Sequence, residues 1–190
     1  MIIFIKTSNN WLDIKNACRT TIGEDELYDY PVVRDWKIKL LLAEHSPIRM
    51  LNITWQWTGI KSWISVHFTR HKIGIEPFVE SQRDDRTGED RDGKRQDALV
   101  NHRCIANAQA IINISRKRLC RKSHIETQAE WYHFLESLRD IEPELFDVCV
   151  KECVYRNGIC PEIQSCGYYK TAAFKKELSD YKNLFGKHRR

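Results

Sequence analysis

The sequence predicts a small protein of the α/β or α+β class, with strands near the front and helices behind. Three observations predict it. The opening run Met1-Ile2-Ile3-Phe4-Ile5-Lys6 is apolar and β-rich, and Leu51 to Trp57 alternates strictly between apolar and polar residues. Behind them, apolar residues recur at three- and four-residue spacing almost to the end of the chain. At 190 residues the chain suits one compact domain, and 42% hydrophobic with 30% charged residues allows a packed core.

Each element follows in order. After the first strand, Asn9 or Asn10 caps a helix that places Trp11, Ile14 and Cys18 on one face. Gly23-Glu24-Asp25 turns the chain into a second helix, Trp36 to Ala43, and Pro47 marks a restart. In the alternating strand, Leu51, Ile53, Trp55 and Trp57 oppose Asn52, Thr54 and Gln56, and Gly59 is expected to end it. Ile60 to Lys72 reads as a helix burying Ile60, Ile64 and Phe68, with Trp63, His67, Arg70 and His71 on an adjacent stripe. Pro77 requires an extended or turning path.

Glu80 to Asp97 holds seven acidic and five basic residues and almost nothing apolar, so it reads as an exposed loop, long enough to suggest a functional lid. The second half reads as mainly helical. Cys104, Ile105, Ala108, Ile111 and Ile112 form one stripe, and Trp131, Phe134, Leu135 and Leu138 another. A further helix is expected near Pro143 to Val154, and a last one carries Phe174, Leu178, Tyr181 and Phe185 into the basic tail Lys187-His188-Arg189-Arg190.

Several function classes are disfavoured at this stage. No stretch approaches the roughly 20 apolar residues of a membrane span. The N-terminus lacks a basic leader and a cleavage site, so an intracellular, cytoplasmic protein is the expectation. The formal charge of +5 favours anionic ligands without demanding nucleic acid. Seven cysteines are an odd count for a secreted disulfide scaffold, which favours reduced thiols. Cys149, Cys153, Cys160 and Cys166, spaced C-x3-C-x6-C-x5-C, are the one candidate metal set. They read either as structural zinc or as buried thiols packing like small hydrophobes, with Cys149 and Cys153 one helical turn apart.

The densest polar constellation is Arg70-His71-Lys72, followed by Glu80-Ser81-Gln82-Arg83. Two cations at a helix end, with a hydroxyl and a planar guanidinium further on, suit a phosphate-bearing ligand. A merely solvated helix end with a charged loop is the plain alternative.

This cluster resembles the Arg-His-Arg-x7-Ser signature of the flavin-dependent thymidylate synthases, the ThyX family. Other segments agree in order. His45-Ser46-Pro47 resembles the family's His-x-Ser-Pro, and Ala17-Cys18-Arg19 its opening helix. Ser115-Arg116-Lys117-Arg118-Leu119-Cys120 resembles Ala-Arg-x-x-Leu-Pro, and His133-Phe134-Leu135-Glu136-Ser137-Leu138-Arg139 resembles the Phe-Leu-x-Leu-Arg helix. There are departures. Lys72 stands where the family has its second Arg, eight residues instead of seven precede Ser81, and Glu44 falls on the family's His.

The resemblance implies a ThyX-like fold, a small mixed or antiparallel sheet with flanking helices, over residues 1–190 as one domain. It implies a homotetramer with shared active sites, FAD as cofactor, and reductive methylation of dUMP to dTMP with NADPH and methylenetetrahydrofolate. By position, Arg70, His71, Lys72, Glu80, Thr127 and His133 would bind flavin. His67, Ser81, Gln82, Arg83, Arg116 and Arg139 would bind dUMP, with Arg116 on the phosphate, Arg139 against the uracil ring, and Ser81 and Arg139 carrying catalysis. The short, divergent form suggests a phage-like source, hence a host cytoplasm.

Each residue also has a plain structural reading. Arg139 suits a helix-end pair with Asp140 or Glu142, Arg116 a solvated basic patch, and His67 and His133 satisfied edge histidines. Trp55, Trp57 and Trp63 suit a core or an interface. The departures keep an alternative open: a non-catalytic or altered-specificity relative, acting by nucleotide binding, by pyrimidine C5 hydroxymethylation, or as a zinc-bearing nucleic-acid binder.

Overall fold

The structure, a computed structural model, describes residues 2–186; the expected basic tail lies outside them. Strand β1 (Ile2–Thr7) leads to α1 (Trp11–Thr20) and α2 (Arg34–Ala43), then a 3-10 turn at Ser46–Met50. Strand β2 (Asn52–Lys61) runs directly into α3 (Ser62–Thr69). Next come β3 (Ile75–Val79), a one-turn α4 (Asp84–Thr87) and β4 (Leu99–Asn107). The remainder is helical: α5 (Ala108–Arg118), α6 (Ile125–Arg139), α7 (Pro143–Val148), α8 (Glu152–Tyr155) and α9 (Ala172–Gly186).

The four strands form one antiparallel sheet in the order β1-β2-β4-β3. Its inner face carries Ile53, Trp55, Trp57 and Ile60 from β2 and Val100, His102, Cys104 and Ala106 from β4, all buried. Helices α3, α5 and α6 cover that face. Phe68 of α3 stacks on Trp57 at 4.6 Å, and Trp131 and Phe134 of α6 meet Trp55 at 6.2 and 4.3 Å. Each buried phenylalanine contributes about 2 kcal/mol by removal of apolar surface from water. The outer face is more open, with Phe4, Ile105 and Phe78 at its surface.

Buried polar groups tie distant segments together. Glu142, before α7, accepts hydrogen bonds from Thr7 Oγ1 of β1 and from Trp11 Nε1 of α1. Trp131 Nε1 donates to Ser115 Oγ, which in turn donates to the Ile111 carbonyl at 2.8 Å. His102, in the sheet, lies between Ser65 Oγ at 2.9 Å and Cys104 Sγ at 3.1 Å.

Several expectations need correction. Cys104 and Ile105 belong to strand β4, and the helix starts only at Ala108. The strand's inward set includes a polar residue, His102, which masked its alternation. Gly59 does not end β2. It sits at φ +67° in a register shift between Trp57 and Ile60, a bulge glycine admits, and the strand continues to Lys61. Helix α3 is correspondingly shorter than Ile60 to Lys72. The single helix expected near Pro143 to Val154 is two, because Cys149 adopts an extended conformation between them. Cys149 and Cys153 are therefore not successive turns of one helix. Residues 80–97 form the expected exposed loop, with the short α4 inside it.

Candidate functional site

The Arg70-His71-Lys72 cluster sits where α3 ends and the chain turns toward β3. Gly74 makes the turn at φ +73°. A Cβ there would lie 2.6 Å from the Asn107 side chain, whose Oδ1 caps α5 by accepting from the Ala110 amide. The turn that follows the signature is thereby pressed against the start of α5.

From the far end of α5, Arg118 reaches back to the same place. Its Nε donates to His71 Nε2 at 3.0 Å, and its Nη2 donates to the His67 carbonyl in the last turn of α3. One guanidinium thus satisfies a terminal helix carbonyl and grips the imidazole beyond it. Burial, then the Arg118 charge, pull the His71 pKa down to about 4, so the ring is neutral across the physiological range. His67 is lowered by burial and by Arg118, Arg70 and His124, and its Nδ1 lies 2.9 Å from Thr127 Oγ1 at the start of α6. Trp63 lies edge-on to both His67 and His124, at 5.4 and 4.6 Å between ring centres. Arg70 and Lys72 are exposed, and among the described residues neither has an ion-pair partner.

The other half of the motif lies elsewhere in the protomer. Ser81, Gln82 and Arg83 follow β3 while Arg70 to Lys72 precede it, so a strand about 13 Å long separates them. Glu80 is stitched to β4: its amide donates to the Asn101 carbonyl, and its carboxylate accepts from the Asn101 amide at 2.8 Å. Ser81 and Gln82 line a cleft of about 410 Å³ with Lys94, Arg95 and Leu99. Arg83 is turned onto Asp85 in a two-pronged pair at 2.9 and 2.7 Å.

Arg116 and Arg139 are also apart from the α3 end. Arg116 stands about 200° around α5 from Arg118 and so faces the opposite way. It is buried, paired with Glu44 at the end of α2, and stacked 3.5 Å over the Tyr155 ring. Arg139 is 12 residues along α6 from Thr127, about 18 Å away. It pairs with Glu136 at 2.9 Å and lies 4.1 Å over Phe146. His133 is exposed, 3.9 Å from Glu130.

The structure therefore brings together Arg70, His71, His67 and Thr127. Within this chain it does not gather Ser81, Arg116, Arg139 or His133 with them. Arg118 and His124 were missed, although Arg118 lies at i+7 from Ile111 and so extends a stripe already evident in the sequence.

The cysteine set also changes. Cys149 is buried beside Ser115 and Arg116, its thiol pushed up to about 12 by burial. Cys120 takes its place near Cys153, Cys160 and Cys166 around a separate small pocket. Among the described residues, no group of three His, Cys, Asp or Glu side chains is disposed to hold a metal ion. No helix among them is long and apolar enough to cross a membrane.

No family model matches the sequence, and no curated sequence matches it. Solved structures do match in fold. The flavin-dependent thymidylate synthase ThyX of Helicobacter pylori, solved with FAD and dUMP, superposes with a TM-score of 0.61 at 15% identity, over 80% of this chain and 99% of that one. The UMP/dUMP methylase PolB of Streptomyces cacaoi, bound with 5-Br dUMP, matches with a TM-score of 0.58 at 15% identity, over 76% of this chain and 93% of that one. The likeness read from the ordered motifs is thus borne out in the fold: this chain has the ThyX fold, in a divergent form.

Proposed function

We propose that the chain is a FAD-dependent thymidylate synthase that converts dUMP to dTMP with methylenetetrahydrofolate and NADPH, working as a homotetramer whose active sites are shared between copies. The observation that carries this reading is the end of α3. Two exposed cations without carboxylate partners, Arg70 and Lys72, flank a neutral imidazole held from behind by Arg118. That arrangement suits a dianionic pyrophosphate: two exposed positive charges, a fixed neutral imidazole next to them in the chain and, among the described residues, no carboxylate paired with either cation. Bound there, FAD would supply the redox chemistry of the reaction.

The roles of the chain's own residues follow from their types and positions. Arg70, His71 and Lys72 hold the flavin, with Glu80, Thr127 and His133 as further polar contacts. Ser81, Gln82 and Arg83 orient dUMP from the cleft beside the charged loop, and His67 contributes a nucleotide contact. Arg116 takes the phosphate dianion, which must compete with Glu44 for the guanidinium. Arg139 lies against the uracil ring and stabilises negative charge developing on it as C5 becomes nucleophilic. Because these groups occupy separate patches of one protomer, the complete site requires patches from neighbouring copies.

A second reading, a nucleotide-binding relative without turnover, is favoured by one observation. The cations assigned to dUMP, Arg83, Arg116 and Arg139, are each neutralised by a carboxylate of the same chain. One experiment separates the two. Purified protein is incubated with FAD, NADPH, methylenetetrahydrofolate and dUMP, and the product is analysed by mass. Formation of dTMP supports the first reading. Tight dUMP binding without product supports the second, and a hydroxymethylated product redirects the first to altered specificity. Protein that takes up neither FAD nor dUMP contradicts both.

A further inference from the structure

We infer that Arg118 is a positioning residue that locks His71 in a single neutral tautomer, with its one N–H on Nδ1, the ring nitrogen that Arg118 does not hold. The deduction is one of donors and acceptors. A guanidinium has five N–H groups and no lone pair to accept with. Its Nε faces His71 Nε2 at 3.0 Å, so Nε2 is the acceptor, and a neutral ring then carries its hydrogen on Nδ1. An unconstrained histidine side chain prefers the opposite form, so the protein selects this one.

The lock is rigid because the same guanidinium is also anchored to the backbone of α3 at the His67 carbonyl, which a freely rotating ammonium would hold less well. The charged groups facing this corner are Arg118 from α5 and Arg70 from the end of α3, with His67 from α3 and His124 before α6. Among the described residues, Arg118 is the charge that acts on His71, and it opposes a second proton there. In consequence His71 presents one N–H donor, not a charge, next to two exposed cations, Arg70 and Lys72. Nothing in the motif Arg70-His71-Lys72 alone reveals this, because the controlling residue is 47 positions away.

For what His71 then contacts, this inference rests on the flavin reading; for the tautomer it does not. The test is a two-bond proton–nitrogen correlation spectrum of the full chain, with the His71 signals assigned by comparison with His71→Gln. At neutral pH the wild-type ring is expected to show a protonated Nδ1 and a bare Nε2. Arg118→Met removes both charge and donors, so Nε2–H is expected to become the main form and His71 to titrate closer to its ordinary range. A wild-type spectrum showing Nε2–H overturns the inference, and it needs no variant to fold. An unchanged tautomer in folded Arg118→Met overturns it equally. Titration with FAD, followed by flavin fluorescence, separates the two layers. A roughly tenfold weaker affinity in Arg118→Met links the lock to the flavin. Wild-type protein that binds no FAD contradicts the flavin reading while the spectrum still decides the tautomer.

Discussion

Two kinds of arginine divide this molecule. At the end of α3, Arg70 projects into solvent beside Lys72 with no carboxylate on it, while Arg118 beneath is turned toward neutral acceptors. On the far sides of α5 and α6, Arg116 and Arg139 already pair with Glu44 and Glu136. A cation without an internal partner is available to an anion at little cost. One with a partner must exchange it, and a buried one must do so without being left uncompensated. On the proposed reading the first region can receive a phosphate without giving up a partner, and the second needs a competitor strong enough to displace a carboxylate.

Removing partners sharpens that contrast. The largest effect is expected from Glu44→Ala, which leaves buried Arg116 with Asn113, the Tyr155 ring and the more distant charge of Glu152 but no carboxylate hydrogen-bonded to it. A loss of about 3 kcal/mol in urea unfolding is expected, and added dUMP should restore part of it if Arg116 meets the phosphate. An unchanged midpoint would place Arg116 among ordinary solvated arginines.

Acid comes next. His102 is buried in the sheet, and burial lowers its pKa to about 4. A lowered histidine binds fewer protons folded than unfolded, so stability is complete above the ordinary value of 6.5 and declines as pH falls toward 4. The loss over that window is up to about 3 kcal/mol from His102, with His71 adding in the same direction. Stability independent of pH between 7 and 4.5 would contradict the burial of both rings as neutral species.

Arg70→Ala should leave stability within about 0.5 kcal/mol of wild type, yet weaken FAD binding about tenfold, or about 1.4 kcal/mol. The smallest effect is expected from Glu136→Ala. It removes an exposed partner of Arg139, and unfolding should move by less than about 1 kcal/mol. A large loss there would erase the distinction between the two arginine environments.

Much of the architecture was legible because periodicity and burial agree. The alternation in Leu51–Trp57 survives as the inner face of β2, and Trp131, Phe134, Leu135 and Leu138 are all buried on α6. Strand β4 was not legible, because His102 occupies an inward position where a hydrophobe was expected, and Cys104 and Ile105 also fit a helical stripe. Within the site, the motif located Arg70 and His71, and the resemblance located His67 and Thr127, all at one corner. Arg118 stayed hidden because its role depends on its side chain reaching from the end of α5 to the end of α3, a contact between residues 47 apart that local spacing cannot encode. The separation of Ser81 from Arg70 by a strand was hidden for the opposite reason: closeness in sequence suggested closeness in space.

The central claim, that the cations at the end of α3 form a flavin site, is tested most directly by titrating the purified protein with FAD and following the quenching of flavin fluorescence. The account predicts saturable binding of one FAD per chain, weakened about tenfold by Arg70→Ala and not by Glu136→Ala. Absence of saturable binding, or equal affinity in wild type and Arg70→Ala, would contradict it.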